Sequence, residues 1–254
     1  MILDQEQAIR QDFARSTAPA WGIVAVRRLV SRTCPHHVSV ALGRAMYTFL
    51  ICGFPRSGLT WVSRFLSVPH KSMCLCDGLV RARSAEAFWF NYTELSWAKG
   101  LDFFGNAQPL NLLLLPSLLA AWPTATVVWI ERDLAQAMRS AAKANLELDP
   151  RHWRQLQDLR DRHCADYDVL MSYEELARED GIRDLWDSVL PGVPFNRRRW
   201  EAFATKRITC SPERLRGRDT SRLRQLIQAE APEHLELAAQ LEKFDPSPGL
   251  IVPQ

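Results

Sequence analysis

The segment from residue 46 to residue 66 constrains the fold more than any other part of the chain. Residues 46–52 form an unbroken run of apolar and β-forming side chains, which predicts a strand buried on both faces. Gly53-Phe54-Pro55 ends that run, and residues 59–66 then carry apolar side chains at helical spacing. A buried strand, a glycine-containing turn and a helix are the opening half of a parallel crossover unit.

The same alternation of short apolar strands and helical segments continues to the C-terminal region. Further strands are predicted at 72–76, 126–130 and 167–171. Helices are predicted at 85–97, 110–121, 134–146, 153–163, 180–189, 197–204 and, as one or two helices, 220–244. The sequence therefore predicts an α/β fold with a parallel sheet covered by helices on both faces.

One domain boundary is predicted near residue 45, because the first core strand begins at Met46. Residues 46–254 form the predicted α/β domain. Residues 1–45 are interpreted as an N-terminal appendage that mostly lacks a regular apolar period, and the sequence leaves open whether it folds.

Composition excludes several classes of protein. The chain of 254 residues has 32 basic and 29 acidic side chains, a net charge too small and diffuse for a nucleic-acid-binding protein. The most apolar stretch, 110–122, is broken by Pro116 and is too short to span a membrane. The first residues are acidic rather than basic, unlike a signal peptide, and the six cysteines lack metal-ligand spacing. These features predict a cytoplasmic protein with no membrane span.

The turn after the first strand has the composition of a phosphate-binding loop. Gly53, Gly58 and Thr60 match the nucleotide-hydrolase pattern G-x-x-x-x-G-K-[ST], but Leu59 replaces its lysine and a positive charge stands instead at Arg56. Backbone N–H groups and a helix N-terminus converge on an anion in such a loop. The alternative interpretation is an ordinary strand–turn–helix with small residues for tight packing.

Residues 54–61, Phe-Pro-Arg-Ser-Gly-Leu-Thr-Trp, resemble the 5′-phosphosulfate loop of sulfotransferases that use 3′-phosphoadenosine 5′-phosphosulfate (PAPS). The resemblance is to a divergent, bacterial or phage-type member, and it implies a P-loop NTPase-like version of the α/β fold. It also implies that Arg56 contacts the oxygen bridging phosphate and sulfate, and that Trp61 lines the adenine. The residues implied to hold the 5′-phosphate are Ser57, Gly58, Leu59 and Thr60. Leu59 departs from the family, which has a hydroxyl residue there.

A second anion-binding element is implied for the 3′-phosphate of PAPS. The family places an Arg at a strand end and a Ser eight residues later, which corresponds here to Arg132 and Ser140. The alternative is that Arg132-Asp133 is a simple helix-capping pair. Residues 167–176 resemble a later strand of the family, so the likeness extends from residue 47 to about residue 210.

The catalytic base is the point where the sequence departs most from that family. Members with a histidine base carry it in a motif that corresponds to 106–110, and no histidine occurs there. Other branches use a carboxylate after the second strand, a place taken by Asp77. Asp77 is either the general base or a cap of the following turn.

The resemblance implies an enzyme that transfers a sulfuryl group from PAPS to a hydroxyl or amine of a small-molecule or glycan acceptor, without a metal. A catalytically inactive nucleotide-binding protein of the same fold and a small-molecule kinase are the alternatives, and the missing loop lysine counts against the kinase. The acceptor pocket is predicted to be built from loops within 78–108. Residues 197–199, three consecutive arginines, are predicted to be a solvated helix start.

Overall fold

The computed structural model describes residues 46–76, 78–143, 145–205 and 221–242. The predicted appendage 1–45 and the candidate base Asp77 lie outside the described residues, and so do residues 206–220 and 243–254.

Within the described residues the centre of the fold is one five-stranded sheet in which every pairing is parallel. The strands are β1 (Tyr47–Gly53), β2 (Ser72–Leu75), β3 (Phe103–Ala107), β4 (Thr126–Glu131) and β5 (Val169–Ser172). Their spatial order is β2-β3-β1-β4-β5, which places β1 in the middle of the sheet.

Helices connect the strands and cover the sheet. They are α1 (Leu59–Leu66), α2 (Ala85–Ala98), α3 (Leu115–Ala121), α4 (Leu134–Ala142), α5 (Pro150–Arg162), α6 (Glu179–Val189), α7 (Arg197–Ala204), α8 (Ser221–Glu230) and α9 (Leu235–Leu241). Short 3₁₀ turns at Gly78–Arg81 and Pro109–Asn111 follow β2 and β3.

Two apolar clusters lie on opposite faces of the sheet, because successive strand residues point to opposite sides. Phe49 and Ile51 of β1 pack with α1 and α6, whereas Leu50 and Cys52 pack with α2, α3, α4, α5, α8 and α9. Both faces of the central strand are therefore buried, which explains its unbroken apolar sequence. The predicted fold class, a parallel α/β sheet covered on both faces, is confirmed.

The sheet is extended first on one side of β1 and then on the other. From β1 it passes through α1 on one face to β2 and β3, and it then crosses to β4 and, through α4 on the other face, to β5. The connections that leave β1 and β4 thus diverge, which makes the carboxyl ends of these two strands a topological switch point. Open α/β sheets bind ligands at such a switch point.

Strand β3 was not predicted, because its sequence Phe-Phe-Gly-Asn-Ala contains two residues that disfavour strands. The structure explains Gly105: a Cβ there would lie 2.0 Å from the ring of Phe49 on the neighbouring strand. Within 78–108, the segment predicted to supply loops of the acceptor pocket, the predicted helix 85–97 is confirmed as α2, and β3 takes up a further five residues.

Two predicted helices have different bounds in the structure. Helix α3 begins at Leu115 rather than at 110, because Pro116 is tolerated only in a first helical turn. Helix α4 ends at Ala142 rather than at 146, and Asn145 has the left-handed φ of 53°. The segment 220–244 was predicted to hold one or two helices, and its described residues 221–242 hold two, α8 and α9, with Pro232 between them. In the described part of the chain no helix is long and apolar enough to cross a membrane.

Candidate functional site

The loop between β1 and α1 has an unusual backbone. Arg56 and Gly58 have φ values of 72° and 81°, in the left-handed region. Gly58 is the N-cap of α1 and provides no side-chain cap, so the first N–H groups of this helix lack a capping side chain at that position. This end of α1 lies at the carboxyl end of β1, where a helix dipole favours an anion.

Tight packing explains the other small residue of the loop and its one departure from the family pattern. A Cβ at Gly53 would lie 3.1 Å from the carbonyl oxygen of Ile130 and 3.3 Å from the Leu59 side chain. Leu59 itself is 6% exposed and belongs to the apolar cluster under α1. Its side chain therefore faces the core, and only its backbone N–H is available to a ligand.

Three residues predicted from separate parts of the sequence meet at this loop. Arg56 donates from Nε to Ser140 Oγ at 3.3 Å, across a separation of 84 residues. Arg132, at the end of β4, donates from a terminal guanidinium nitrogen to the carbonyl oxygen of Arg56. The structure thus brings Arg56, Arg132 and Ser140 together at the switch point between β1 and β4.

The carboxylates on either side of Arg132 in the sequence are engaged elsewhere. Glu131 accepts from Trp129 Nε1 at 2.7 Å and forms an ion pair with Arg160 at 2.9 Å. Asp133 caps α4 by accepting from the backbone N–H of Gln136, so the capping interpretation of the pair Arg132-Asp133 is confirmed for its aspartate. Arg132 is not part of that cap.

Two buried polar atoms near the loop lack a hydrogen-bond partner among the described residues. They are Ser57 Oγ, in a side chain that is 0% exposed, and Arg132 Nε. A buried donor without a partner is costly and calls for an explanation, and a bound anion supplies one. The donors named here, two guanidinium groups, two hydroxyls and the helix N–H groups, suit a negatively charged ligand.

Trp61 is oriented by helix α7. Its Nε1 donates to the carbonyl oxygen of Phe203 at 3.0 Å, and its ring stacks on Phe65 with centroids 5.2 Å apart. The residue remains half-buried, so its role beside an adenine stays a prediction.

Arg199 was predicted to be solvated, and this prediction is wrong. Its guanidinium is partly buried and donates to the carbonyl oxygens of Arg64, Phe65 and Ser67 at the C-terminal end of α1. Burial lowers the pKa of this guanidinium from its ordinary value. Cations are favoured at a helix C-terminus, and an arginine in the first turn of α7 gave no sequence signal for this distant contact.

Tyr173 is a second residue whose role the sequence did not predict. Its ring lies under the guanidinium of Arg132, with 4.0 Å between Arg132 Cζ and the ring centroid. Its position directly after β5, at the same sheet edge as the loop, is the signal that would have pointed to it.

The region that corresponds to the family's histidine motif holds buried amides. Asn106 donates to Asn111, which in turn donates to the carbonyl oxygens of Ile51 and Asn106. Asn106 and Gln108 are both 0% exposed. Among the described residues no group of three or more His, Cys, Asp or Glu side chains is arranged to hold a metal ion.

Comparison with known proteins gives similarity of chain arrangement only. No protein-family model matches the sequence, and no curated protein matches it. Among solved structures, sulfotransferase STF1 of Mycobacterium tuberculosis is similar with a TM-score of 0.45 and 13% identity, over 85% of this chain and 80% of that one. Sulfotransferase STF9 of Mycobacterium avium is similar with a TM-score of 0.42 and 13% identity, over 84% of this chain and 80% of that one. Scores and identities this low do not identify an activity.

Proposed function

We propose that this chain is a PAPS-dependent sulfotransferase that transfers a sulfuryl group to a hydroxyl or amine of a small-molecule or glycan acceptor. The observation that carries the proposal is the meeting of Arg56, Arg132 and Ser140. A sequence pattern for a 5′-phosphosulfate loop and a separate pattern for a 3′-phosphate clamp gave these three residues, and they are in contact at one edge of the sheet.

In this proposal the two arginines divide the charges of the nucleotide between them. Arg56 and the first N–H groups of α1 face the 5′-phosphosulfate, and Arg132 with Ser140 faces the 3′-phosphate. The carboxylates next to Arg132 in sequence are committed to other partners, Glu131 to Trp129 and Arg160 and Asp133 to the backbone of Gln136. A ligand with two separate anionic groups gives each guanidinium a charged partner in this proposal.

The chemistry follows from that division. The acceptor oxygen or nitrogen forms a bond to sulfur while the bond from sulfur to the bridging phosphate oxygen breaks, and the electron pair stays on the 5′-phosphate. Arg56 neutralises the charge that grows on this leaving oxygen, which is the main contribution expected for a loose transition state. The acceptor proton passes to a base, for which Asp77 is the proposed residue.

Titration calorimetry with 3′-phosphoadenosine 5′-phosphate, AMP and ATP tests the nucleotide assignment. The 3′-phosphorylated nucleotide is expected to bind roughly 10- to 100-fold more tightly than AMP, because a charged hydrogen bond contributes about 1.5–3 kcal/mol. Tightest binding of ATP, with no preference for a 3′-phosphate, would contradict the proposal and favour the kinase.

An inactive nucleotide-binding protein of the same fold is the second candidate. The observation that favours it is the segment 106–108, where buried amides stand in place of a histidine motif. Transfer of labelled sulfuryl from PAPS to a panel of phenols, alcohols, sugars and amines separates the two candidates. Tight binding of the 3′-phosphorylated nucleotide without transfer to any acceptor would favour the binding protein.

A further inference from the structure

Tyr173 links the two proposed anion-binding elements. One face of its ring packs against Arg132, whose Cζ lies 4.0 Å from the ring centroid. The ring also lies next to the loop between β1 and α1, because a Cβ at Gly58 would lie only 3.0 Å from Tyr173 Cε2. The ring therefore contacts both the loop that follows β1 and the arginine that follows β4.

The position of this ring is fixed by its own backbone. Tyr173 N donates to the carbonyl oxygen of Glu131 at 2.7 Å, which extends the pairing of β5 with β4 by one step. The turn that follows is closed by Glu175, whose carboxylate accepts from Ser172 N and whose own N–H donates to Ser172 Oγ. The hydrogen bond from Ser172 N, followed by one from the Ser172 side chain, holds the pKa of the Glu175 carboxyl below its ordinary value.

An arginine needs such support if it is to present its guanidinium to a ligand in one orientation. Its side chain has several rotatable bonds, and immobilising it on binding costs affinity. Arg132 is held at two points, by the hydrogen bond to the Arg56 carbonyl and by the face of the Tyr173 ring. The ring attracts a cation through its negative face and leaves the N–H donors at the guanidinium edge available.

We propose that Tyr173 is a positioning residue: its ring holds the guanidinium of Arg132 in place before the nucleotide binds, and it thereby sets the selectivity for a nucleotide with a second phosphate. This inference rests on the proposed function, since it assigns Arg132 to the 3′-phosphate. Tyr173 is assigned no contact with the reacting atoms. Its effect should appear in the ratio of affinities for 3′-phosphoadenosine 5′-phosphate and AMP.

The test compares Tyr173→Leu with Tyr173→Phe by calorimetry with both nucleotides. Tyr173→Leu is expected to lower the affinity ratio roughly 3- to 30-fold, the range that corresponds to a partly desolvated cation–π contact. Tyr173→Phe keeps the ring and is expected to keep the ratio. Tyr47→Leu is the matched control, because Tyr47 begins β1 at the amino end of the strands, opposite to the loop, and stacks only on Phe103 among the contacts described.

A second series keeps the proposal testable if Tyr173→Leu fails to fold. Replacing Tyr173 with phenylalanines of increasing fluorination leaves the ring's shape nearly unchanged while it weakens the negative charge of the face. The affinity ratio is expected to fall stepwise along this series, whereas the affinity for AMP is expected to stay constant.

Two outcomes would overturn the inference while the proposed function stands. One is an equal loss of affinity for both nucleotides in Tyr173→Leu. That result would mean that the ring contacts the adenosine 5′-phosphate part, which the two nucleotides share. The other is an unchanged ratio throughout the fluorinated series. If the wild type itself shows no preference for the 3′-phosphorylated nucleotide, the proposed function fails, and the inference fails with it.

Discussion

Arg56 has a left-handed backbone conformation, and replacing it with alanine and with glycine separates the cost of that backbone from the role of the side chain. Both variants lose the guanidinium and its hydrogen bond to Ser140, so that contribution cancels between them. The remaining difference comes from φ, which is 72° at this residue. A left-handed conformation costs a residue with a Cβ roughly 1–2 kcal/mol. Glycine escapes this cost but loses about 0.4–1 kcal/mol more through the entropy of the unfolded chain.

Arg56→Gly is therefore expected to be about 0.5–1 kcal/mol more stable than Arg56→Ala. Urea unfolding gives the difference directly, and thermal unfolding should show a gap of about 1–4 °C in Tm for a domain of this size. Arg139, an exposed residue of α4, is the matched control. The free energy of unfolding of Arg139→Gly is expected to be about 1 kcal/mol lower than that of Arg139→Ala, because the backbone at this residue is helical.

Ligand binding adds a second test to the same pair. Both Arg56 variants should bind 3′-phosphoadenosine 5′-phosphate more weakly than the wild type, and by a similar factor, because both lack the guanidinium. An Arg56→Ala protein more stable than Arg56→Gly would refute the left-handed loop. A wild-type affinity in either variant would refute the role of Arg56 in anion binding.

Three further predictions concern the base, the helix α7 and the appendage. Asp77→Asn is expected to reduce sulfuryl transfer by about two to four decades if Asp77 is the base, with little change in nucleotide affinity; unchanged turnover would make it a cap, a role that asparagine also fills. Arg199→Met is expected to lower the free energy of unfolding by about 2–3 kcal/mol, since it removes hydrogen bonds from a charged donor to the end of α1. The exposed Arg198→Met should change it by less than about 0.5 kcal/mol, and equal effects in urea unfolding would contradict this explanation. A chain that begins at Met46 is expected to unfold cooperatively and to bind nucleotide as the full chain does; loss of cooperativity would show that residues 1–45 belong to the core.

The sequence predicted the strand–loop–helix at the centre of the fold almost to the residue. Continuous apolar runs identify strands that are buried on both faces, and β1 and β4 are such runs. The run in β3 is interrupted by Gly105 and Asn106, and the reason for that glycine is the ring of Phe49 on another strand. A requirement set by a neighbour in space has no signature along the chain.

In the candidate site, too, some residues were predicted from local sequence patterns and others were identified only from the structure. Arg56, Arg132 and Ser140 were predicted because the phosphate-loop pattern and the spacing of the clamp are local features of the sequence. Tyr173 and Arg199 act through contacts with residues far away in the chain, with Arg132 in one case and with the end of α1 in the other. These contacts are seen only in the structure, where the residue after β5 packs on the residue after β4 and α7 packs on α1.

The proposed contact of Arg132 with a 3′-phosphate can be tested by one calorimetric comparison. Arg132→Ala is expected to weaken binding of 3′-phosphoadenosine 5′-phosphate by roughly 10- to 100-fold, the loss of a charged hydrogen bond, and that of AMP by less than about threefold. Arg139→Ala, which removes the same charge from an exposed position next to Ser140, should leave both affinities near their wild-type values. Equal losses for the two nucleotides in Arg132→Ala would contradict the claim and make Arg132 a structural residue of the loop.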